Sequence, residues 1–161
     1  MEKIIFKGIR KDNKEWVEGY LLQKNCPERY YIGKYSSSQV SRECKDEILS
    51  VYKEIDYKTI CRYTGLNDSN YNHMFEHDVF RFQGEDNEIE IFFRDGSYGY
   101  YAVSIIEHTP CRHTYFIPFA QLSDIESALR SLTIIGNIYD PGRELTGCPL
   151  PREKKNEGQN T

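Results

Sequence analysis

The chain of 161 residues carries 21 lysines and arginines against 25 aspartates and glutamates, for a formal net charge of −4, and 39% of its residues are hydrophobic. This length fits one domain with a core of its own, and the lack of a long apolar run or of a basic segment followed by an apolar one argues against a membrane span and a signal peptide. We therefore expect a cytoplasmic protein, in which five cysteines without a Cys-x-x-Cys pair stay as free thiols.

Charge is distributed unevenly along the chain. Residues 61–150 contain 13 acidic residues, six arginines and no lysine. This balance repels phosphate backbones, so it argues against nonspecific binding of duplex nucleic acid by this half. A partner with a basic surface would complement it, although acidity that only keeps the protein in solution is the simpler explanation.

The first third of the chain predicts a β-hairpin followed by a third strand. Residues 3–10 alternate apolar and polar side chains, a turn follows, and residues 16–23 make a second strand that begins with the single tryptophan. Residues 29–35 are rich in β-forming tyrosines. Apolar side chains from Val40 to Ile55 fall at helical spacing, so the period alone predicts a helix, and we expect a short helix or helical loop at 39–48.

The stretch from residue 60 to residue 82 is specified residue by residue more than any other part of the chain. Thr64-Gly65 and the polar run that follows have the chemistry of turns, because glycine tolerates positive φ and Asn and Asp side chains bond their own backbone. Asp78 then opens an alternating run that is typical of a strand with one buried face. We predict a chain reversal followed by a strand.

A hairpin and an edge strand are predicted after this stretch. Asp95-Gly96 lies between two strand-like runs, which is a strong hairpin signal. Residues 114–119 read as a strand, and Pro118 within them indicates a strand end or a sheet edge, because proline cannot donate to the hydrogen-bond ladder.

The end of the chain predicts a helix, a closing strand and a tail. Ser123 and Glu126 fit a capping box with Ser123 as N-cap, which opens a helix to about Ser131. Residues 133–139 read as the closing strand. We expect residues 1–147 to form a single domain and the polar residues 148–161 to form a disordered tail.

Three segments of the chain resemble the YopX family, small proteins carried by bacteriophages and prophages. The central segment follows the family signature YTGLKDKNGKEIFEGDIV without a gap, in Tyr63-Thr64-Gly65-Leu66, Asp68, Asn70, Phe75-Glu76 and Asp78-Val79. The flanking segments are Trp16-Val17-Glu18-Gly19-Tyr20-Leu21 and Ile135-Gly136-Asn137-Ile138-Tyr139-Asp140, the latter similar to the family's closing IGNIYEN. Together they frame most of residues 3–145.

The resemblance implies a β-rich, self-associating fold and a phage context, and it supplies no catalytic residues. It also implies a strand just before the signature, up to residue 55, where the spacing of apolar residues alone favours a helix. Two departures lie inside the signature, where Tyr71 and His77 stand in positions that the family usually gives to glycine. If the backbone there has positive φ, both residues are strained, because β-carbons disfavour that conformation.

Two groups of residues offer metal-binding chemistry. His73 and His77 are four residues apart, with Glu76 and Asp78 beside them, and a second group consists of His108, Cys111 and His113. Zinc sites normally show paired ligand spacing, which is missing in both groups, so we predict neither a metal nor a cofactor and no enzyme activity. A metal-dependent hydrolase using His73, His77 or Asp78 is the least favoured alternative.

Tyrosines that share a strand with an arginine are the candidate binding surface. Tyrosine and arginine are enriched where proteins meet, and the candidates are Arg94, Tyr98, Tyr100 and, with the opposite phase, Tyr101. The same rings could line a β core instead, with their hydroxyls at its rim, and this is the more common fate of tyrosine.

The sequence thus predicts a mainly β domain with a curved, barrel-like antiparallel sheet and one or two short helices. We expect a non-enzymatic phage accessory protein that self-associates and binds a host or phage protein, with inhibition of a host defence system as the suggested role. A nucleic-acid or nucleotide-binding β-barrel module is the alternative, in which tyrosines stack on bases. The lack of lysines in residues 61–150 counts against it.

Overall fold

The computed structural model describes residues 4–25, 27–34, 51–105 and 112–143, with residues 101–105 and 112–115 described by their backbone alone. Within these ranges the chain contains eleven strands and the short helix α1 (Ile125–Arg130). The strands are β1 (Phe6–Ile9), β2 (Trp16–Asn25), β3 (Glu28–Gly33), β4 (Lys53–Ile55), β5 (Cys61–Asn67), β6 (His73–Phe75), β7 (Asp78–Phe82), β8 (Ile89–Arg94), β9 (Ser97–Ile105), β10 (Arg112–Pro118) and β11 (Leu132–Asn137).

The strands pair antiparallel in two sheets, which confirms the mainly β prediction. One sheet has the order β4-β3-β2-β1-β5-β6 and the other the order β10-β9-β8-β7-β11. In the described part of the chain the sheets do not close into the expected barrel. The reason lies at the turn between β6 and β7, where the amide of Glu76 bonds to Arg62 O in one sheet and the amide of His77 bonds to Ile91 O in the other, both at 2.9 Å.

Both predicted hairpins are confirmed. β1 pairs with β2 in a register that places Ile9 opposite Trp16. β8 pairs with β9 through a two-residue turn in which Asp95 has φ 51° and Gly96 has φ 81°. Two consecutive positive φ values define the turn type that suits the twist of paired strands, and Asp-Gly is a favoured sequence for it.

The predicted helix forms, but its cap is one residue later than expected. Asp124, not Ser123, is the N-cap, and its carboxylate accepts a hydrogen bond from the amide of Ser127 at 3.0 Å. A carboxylate also interacts favourably with the helix N-terminus, which explains why it takes the position from the neighbouring serine. None of the helices in the described ranges is long and apolar enough to cross a membrane.

Other predicted elements are found where the structure describes them. β4 confirms a strand before the signature, while the predicted helix or helical loop at 39–48 lies outside the described residues, as does the tail 148–161. β10 is an edge strand that ends at Pro118, as expected from the missing amide proton of proline.

The apolar core lies under the five-stranded sheet. Its buried members come from β6 to β9, from the turn after β10 and from β11, and they are Met74, Phe80, Ile91, Tyr100, Phe119 and Leu132. Ring packing is prominent, since Phe80 lies 5.6 Å from Tyr100 and 6.2 Å from Phe119 between ring centroids. Aromatic rings bury large areas, so a few of them supply much of the burial in a chain with few aliphatic residues.

Candidate functional site

The three segments that resemble the family signature meet at one buried polar network between the sheets. Asp78 at the start of β7 is fully buried, and its Oδ1 accepts hydrogen bonds from Lys7 Nζ of β1 and, at 2.9 Å, from Asn137 Nδ2 of β11. Its Oδ2 accepts the amide of Phe75 at 2.8 Å. One carboxylate therefore joins four strands from the two sheets.

Asp78 is held as a structural acceptor. Burial raises the pKa of its carboxyl above the ordinary value, while the Lys7 ammonium and the hydrogen bonds from Asn137 and Phe75 favour the charged form. Both oxygens are occupied by these donors. The group is therefore poorly placed to exchange a proton with a substrate.

Cys61 lies in the same network and is chemically quiet. Its side chain is fully buried, and Asn137 Nδ2 lies 3.7 Å from its sulfur. Burial raises the pKa of the Cys61 thiol to about 12, so the reactive thiolate is scarce at neutral pH. Cys61 therefore lies in the interior, where a substrate cannot reach it as a nucleophile.

The first segment contributes Trp16, whose indole links it to the last segment. Trp16 Nε1 donates to Asp140 Oδ1 at 2.8 Å, and Asp140 Oδ2 accepts the amide of Asn137 at 2.7 Å. The ammonium of Lys7 lies 4.8 Å from the ring centroid of Trp16, a distance at which the ring face attracts a cation. Trp16 thus orients both Lys7 and the turn after β11.

Gly136 is required by the same turn. Its φ is 153°, and a β-carbon at this position would collide with the guanidinium of Arg143 and the carboxylate of Asp140. It also lies at a register shift in the pairing of β11 with β7. The glycine of this segment therefore has a steric role.

A cleft of about 570 Å³ opens above this network, and we call it the Tyr71 cleft. Its lining includes Lys7, Trp16, Glu18, Tyr71, His73 and Asp78. Asp78 and Lys7 form the buried end, because their side chains are 0% and 15% exposed. At the other end, the 87% exposed Tyr71 forms the rim.

The loop that presents Tyr71 is held by Asp68. The carboxylate of Asp68 is buried and accepts hydrogen bonds from four donors, which are Asn70 N, Asn72 N, Asn72 Nδ2 and Ile134 N, at 2.9 to 3.1 Å. Burial alone would raise the pKa of Asp68, but these hydrogen bonds outweigh it and the pKa is lowered. The predicted chain reversal is confirmed, and it is tied to β11.

The remaining signature residues shape the strand that leads into this loop. Gly65 has φ 85° and lies where the pairing of β5 with β6 shifts register after Tyr63. Thr64 Oγ1 donates to Met74 O at 2.8 Å and accepts the amide of Leu66 at 3.1 Å, which bridges the bulge. These contacts give Thr64 and Gly65 structural roles.

Tyr71 and His77 both have left-handed backbone conformations, with φ 63° and 65°. The strain expected at these two departures from the signature is therefore confirmed. Residues other than glycine lose about 1–2 kcal/mol in this conformation, and such strain persists only where surrounding contacts enforce it. For Tyr71 the enforcing group is Asp68, which accepts the backbone amides on both sides of it.

The two histidines of the signature contact different carboxylates. His73 Nδ1 lies 3.2 Å from Glu18 Oε2 at the cleft, whereas His77 Nδ1 lies 2.8 Å from the buried Glu90. Where the structure describes side chains, no three His, Cys, Asp or Glu groups converge as metal ligands. His108 and Cys111 lie outside the described residues, and so does the side chain of His113.

Only some residues of the predicted tyrosine surface are exposed. Tyr100 is 9% exposed and packs in the apolar core, so it is not available for binding. For Tyr100 the alternative prediction, in which the rings line a β core, is the one that applies. Tyr98 is half-buried, and burial raises the pKa of its hydroxyl. Arg94 is exposed beside Asp95, while the side chain of Tyr101 lies outside the described part of the chain.

Sequence reasoning gave no role to Lys7 and treated Trp16 and Asp140 only as members of the flanking segments. Lys7 was visible as a cation within an otherwise apolar strand, and Asp140 as the last residue of the closing segment. Their pairing could not be inferred, because Lys7 and Asp78 are 71 residues apart.

Comparison with known proteins agrees with this geometry. The family model described as YopX protein matches residues 5–145, which include the whole network and the Tyr71 cleft. No curated protein matches the chain.

Proposed function

We propose that this chain, which belongs to the YopX family, is a non-enzymatic phage accessory protein that binds a partner protein through the Tyr71 cleft. Family membership suggests a small protein of the phage type. We place it in the bacterial cytoplasm, where the partner is a host or phage protein and a component of host defence is the expected target class.

The observation that carries the proposal is the presentation of Tyr71. Its ring is 87% exposed, and its backbone is strained at φ 63°. A residue that buries almost nothing and occupies an unfavourable conformation does not stabilise the fold. Strain of this kind clusters at functional sites, and tyrosine is among the residues that contribute most to binding at protein interfaces.

The polar groups of the cleft support binding rather than catalysis. The carboxylate of Asp78 is saturated by donors, and Lys7 is paired with it. The nearby thiol of Cys61 has a pKa of about 12. A catalytic acid, base or nucleophile needs a pKa near the working pH and access to the substrate, and neither Asp78 nor Cys61 combines the two.

The chemistry of the rim indicates the kind of partner. Glu18 is 47% exposed next to the aromatic rings of Trp16 and Tyr71, and it is an exposed acidic side chain of the cleft lining. Basic and apolar side chains of a partner would complement such a rim. Self-association through sheet edges is the second part of the proposal, and it is supported by the family resemblance.

A pull-down with matched baits tests the binding proposal. Wild type, Tyr71→Gly and Tyr57→Ser are immobilised, exposed to bacterial host lysate and compared by quantitative mass spectrometry. Tyr57 is 58% exposed and is not part of the cleft, so Tyr57→Ser controls for the loss of an exposed ring. We expect a protein that wild type and Tyr57→Ser retain and that Tyr71→Gly loses at least about tenfold, the scale of an interface hot spot. An identical set of proteins on all three baits would contradict the proposal.

Self-association is tested separately by mass photometry of the wild-type protein. We expect species larger than the 19.0 kDa chain. A monomer at every concentration would contradict self-association and leave the cleft proposal standing.

A further inference from the structure

A second cleft, of about 410 Å³, lies on the side of the five-stranded sheet where β7 and β11 pair, next to the end of α1. Its lining includes Ser69, Arg81, Phe82, Glu85, Arg130 and Thr133, and we call it the Arg81 cleft. Two of these side chains are cationic and one is anionic. This balance is opposite to that of residues 61–150 as a whole, where 13 acids face six arginines.

Arg81 belongs to a cluster with an excess of positive charge. Its Nη2 lies 2.7 Å from Glu88 Oε1, and Arg143 Nη2 lies 3.5 Å from Glu88 Oε2. The side chain of Glu88 is only 11% exposed, so a single carboxylate serves two guanidinium groups. Glu88 therefore shares its charge between the two guanidinium groups instead of serving Arg81 alone.

Arg81 lines the cleft with a side chain that is 42% exposed, and one of its donors is unpaired. Within the described residues, its Nε is buried and has no hydrogen-bond partner. Buried donors are nearly always paired, so an unpaired one calls for an acceptor, which can be a water molecule or a ligand oxygen. Guanidinium groups present Nε and Nη donors in a planar fork that matches the oxygens of carboxylates and phosphates.

Further donors lie around Arg81. Arg130 lines the cleft with a side chain that is 82% exposed and lies 3.8 Å from Glu126 Oε2, an exposed ion pair that is weak in water. Ser69 Oγ and Thr133 Oγ1 lie 3.0 Å apart and share one hydrogen bond, which uses one of their two hydroxyl protons. The other proton can be donated to a bound oxygen.

We propose that the Arg81 cleft binds a small oxyanion, a phosphate or carboxylate group, through Arg81, Arg130 and the Ser69–Thr133 hydroxyl pair. Its volume lies within the range of small-ligand pockets, and Phe82 offers an apolar wall for the body of an organic ligand. Glu85, which also lines the cleft, opposes anion binding and lowers the affinity. This site is independent of the Tyr71 cleft.

Titration followed by NMR of the arginine Nε–H groups tests the proposal. Inorganic phosphate, adenosine monophosphate and succinate are added in separate series at constant ionic strength. We expect a saturable shift of the Arg81 Nε–H signal, assigned from its loss in Arg81→Lys. Arg143 Nε is also buried but lies outside the cleft lining, so its signal is an internal reference that should move less.

Variants at three exposed residues test whether the affinity for the anion falls, rises or stays the same as expected. Arg130→Gln should weaken binding about tenfold, the scale of one hydrogen bond to a charged group. Glu85→Gln should tighten it severalfold because a repelling charge is removed. Arg94→Gln, which changes an exposed arginine outside the cleft lining, should leave it unchanged.

Each outcome decides for or against the site. No saturable shift, or a shift that Arg130→Gln and Glu85→Gln leave unaltered, would overturn the proposal. A stronger response to adenosine monophosphate than to phosphate would support it and identify a phosphorylated organic molecule. An equally strong response to succinate would support it and assign carboxylates to the same donors.

Discussion

The buried polar network around Asp78 and the apolar core around Phe80 lie two residues apart along β7 and stabilise the molecule by different means. Both residues are 0% exposed. Phe80 is surrounded by rings and aliphatic groups, whereas Asp78 is surrounded by three donors from β1, β6 and β11. The stability of the apolar core depends on the volume of its side chains, whereas the stability of the polar network depends on the pairing of its donors with acceptors.

This difference explains why the family signature specifies an individual residue type at each of its positions. Apolar residues of similar volume can replace one another in a core with modest loss of stability. A buried donor that loses its acceptor incurs the full desolvation cost, so each member of the network constrains the others. Three distant segments of the sequence are specific because they complete one set of hydrogen bonds.

The largest predicted effect comes from a change that conserves volume in the polar network. Asp78→Asn leaves the Lys7 ammonium without its anion and places an amide NH₂ among donors, so we expect a loss of about 3–5 kcal/mol in the free energy of unfolding. Urea denaturation measures it. Asp95→Asn, the same change at an 86% exposed carboxylate, should stay within about 0.5 kcal/mol of wild type. A loss below about 1 kcal/mol for Asp78→Asn would show that the network is dispensable.

A smaller loss is expected at the anchor of the Tyr71 loop. The substitution Asp68→Asn replaces one carboxylate oxygen with an amide NH₂ group that faces other donors. We expect it to lower the free energy of unfolding by about 2 kcal/mol at neutral pH. Since the folded pKa of Asp68 is lowered from 3.8, its stabilisation is present above that value and is lost as the pH falls through the folded pKa.

The pH dependence gives this prediction a second test. The stability difference between wild type and Asp68→Asn, measured by denaturation from pH 7 down to pH 2, should shrink below about pH 4. A difference that is constant over this range would contradict the role of the ionised carboxylate.

The apolar core should tolerate its own volume-conserving change. Met74 is 0% exposed, like Asp78, but Met74→Leu should lose less than about 1.5 kcal/mol, because only side-chain shape changes. The same urea experiment compares it directly with Asp78→Asn. If Met74→Leu were the more damaging of the two, the contrast between core and network would be wrong.

The smallest effect is a gain. Tyr71→Gly removes an exposed ring and relieves the backbone at φ 63°, so we expect thermal and chemical denaturation to show a stabilisation of about 0.5–1 kcal/mol. Lys14→Gly is the matched change at another exposed residue with φ 63° and should behave alike. If Tyr71→Gly destabilised the protein and Lys14→Gly did not, the Tyr71 ring would support the fold. The binding proposal would then lose its main observation.

Several features of the site were predictable from sequence because their causes are local. Asp-Gly at 95–96 determines a hairpin, whereas positive φ at Tyr71 and His77 was only a possibility raised by the glycines that the signature has there. Tyr100 could not be assigned to the interior from its neighbours, because Tyr98 and Tyr100 share a phase along β9 and differ only in what packs over them. The cap of α1 at Asp124 was missed for a similar reason, since two adjacent residues are both good N-caps.

The sequence by itself determined the mainly β class, the two hairpins, the signature turn and the family. All of these follow from turn residues, side-chain alternation and motifs that act over a few residues. Only the tertiary structure decided that the chain forms two sheets, that Lys7, Asp78 and Asn137 meet between them, and that two clefts of different charge flank β11. The physical reason is that an ion pair or a cleft depends on distances between residues 59 to 71 positions apart, and a local pattern carries no information about such distances.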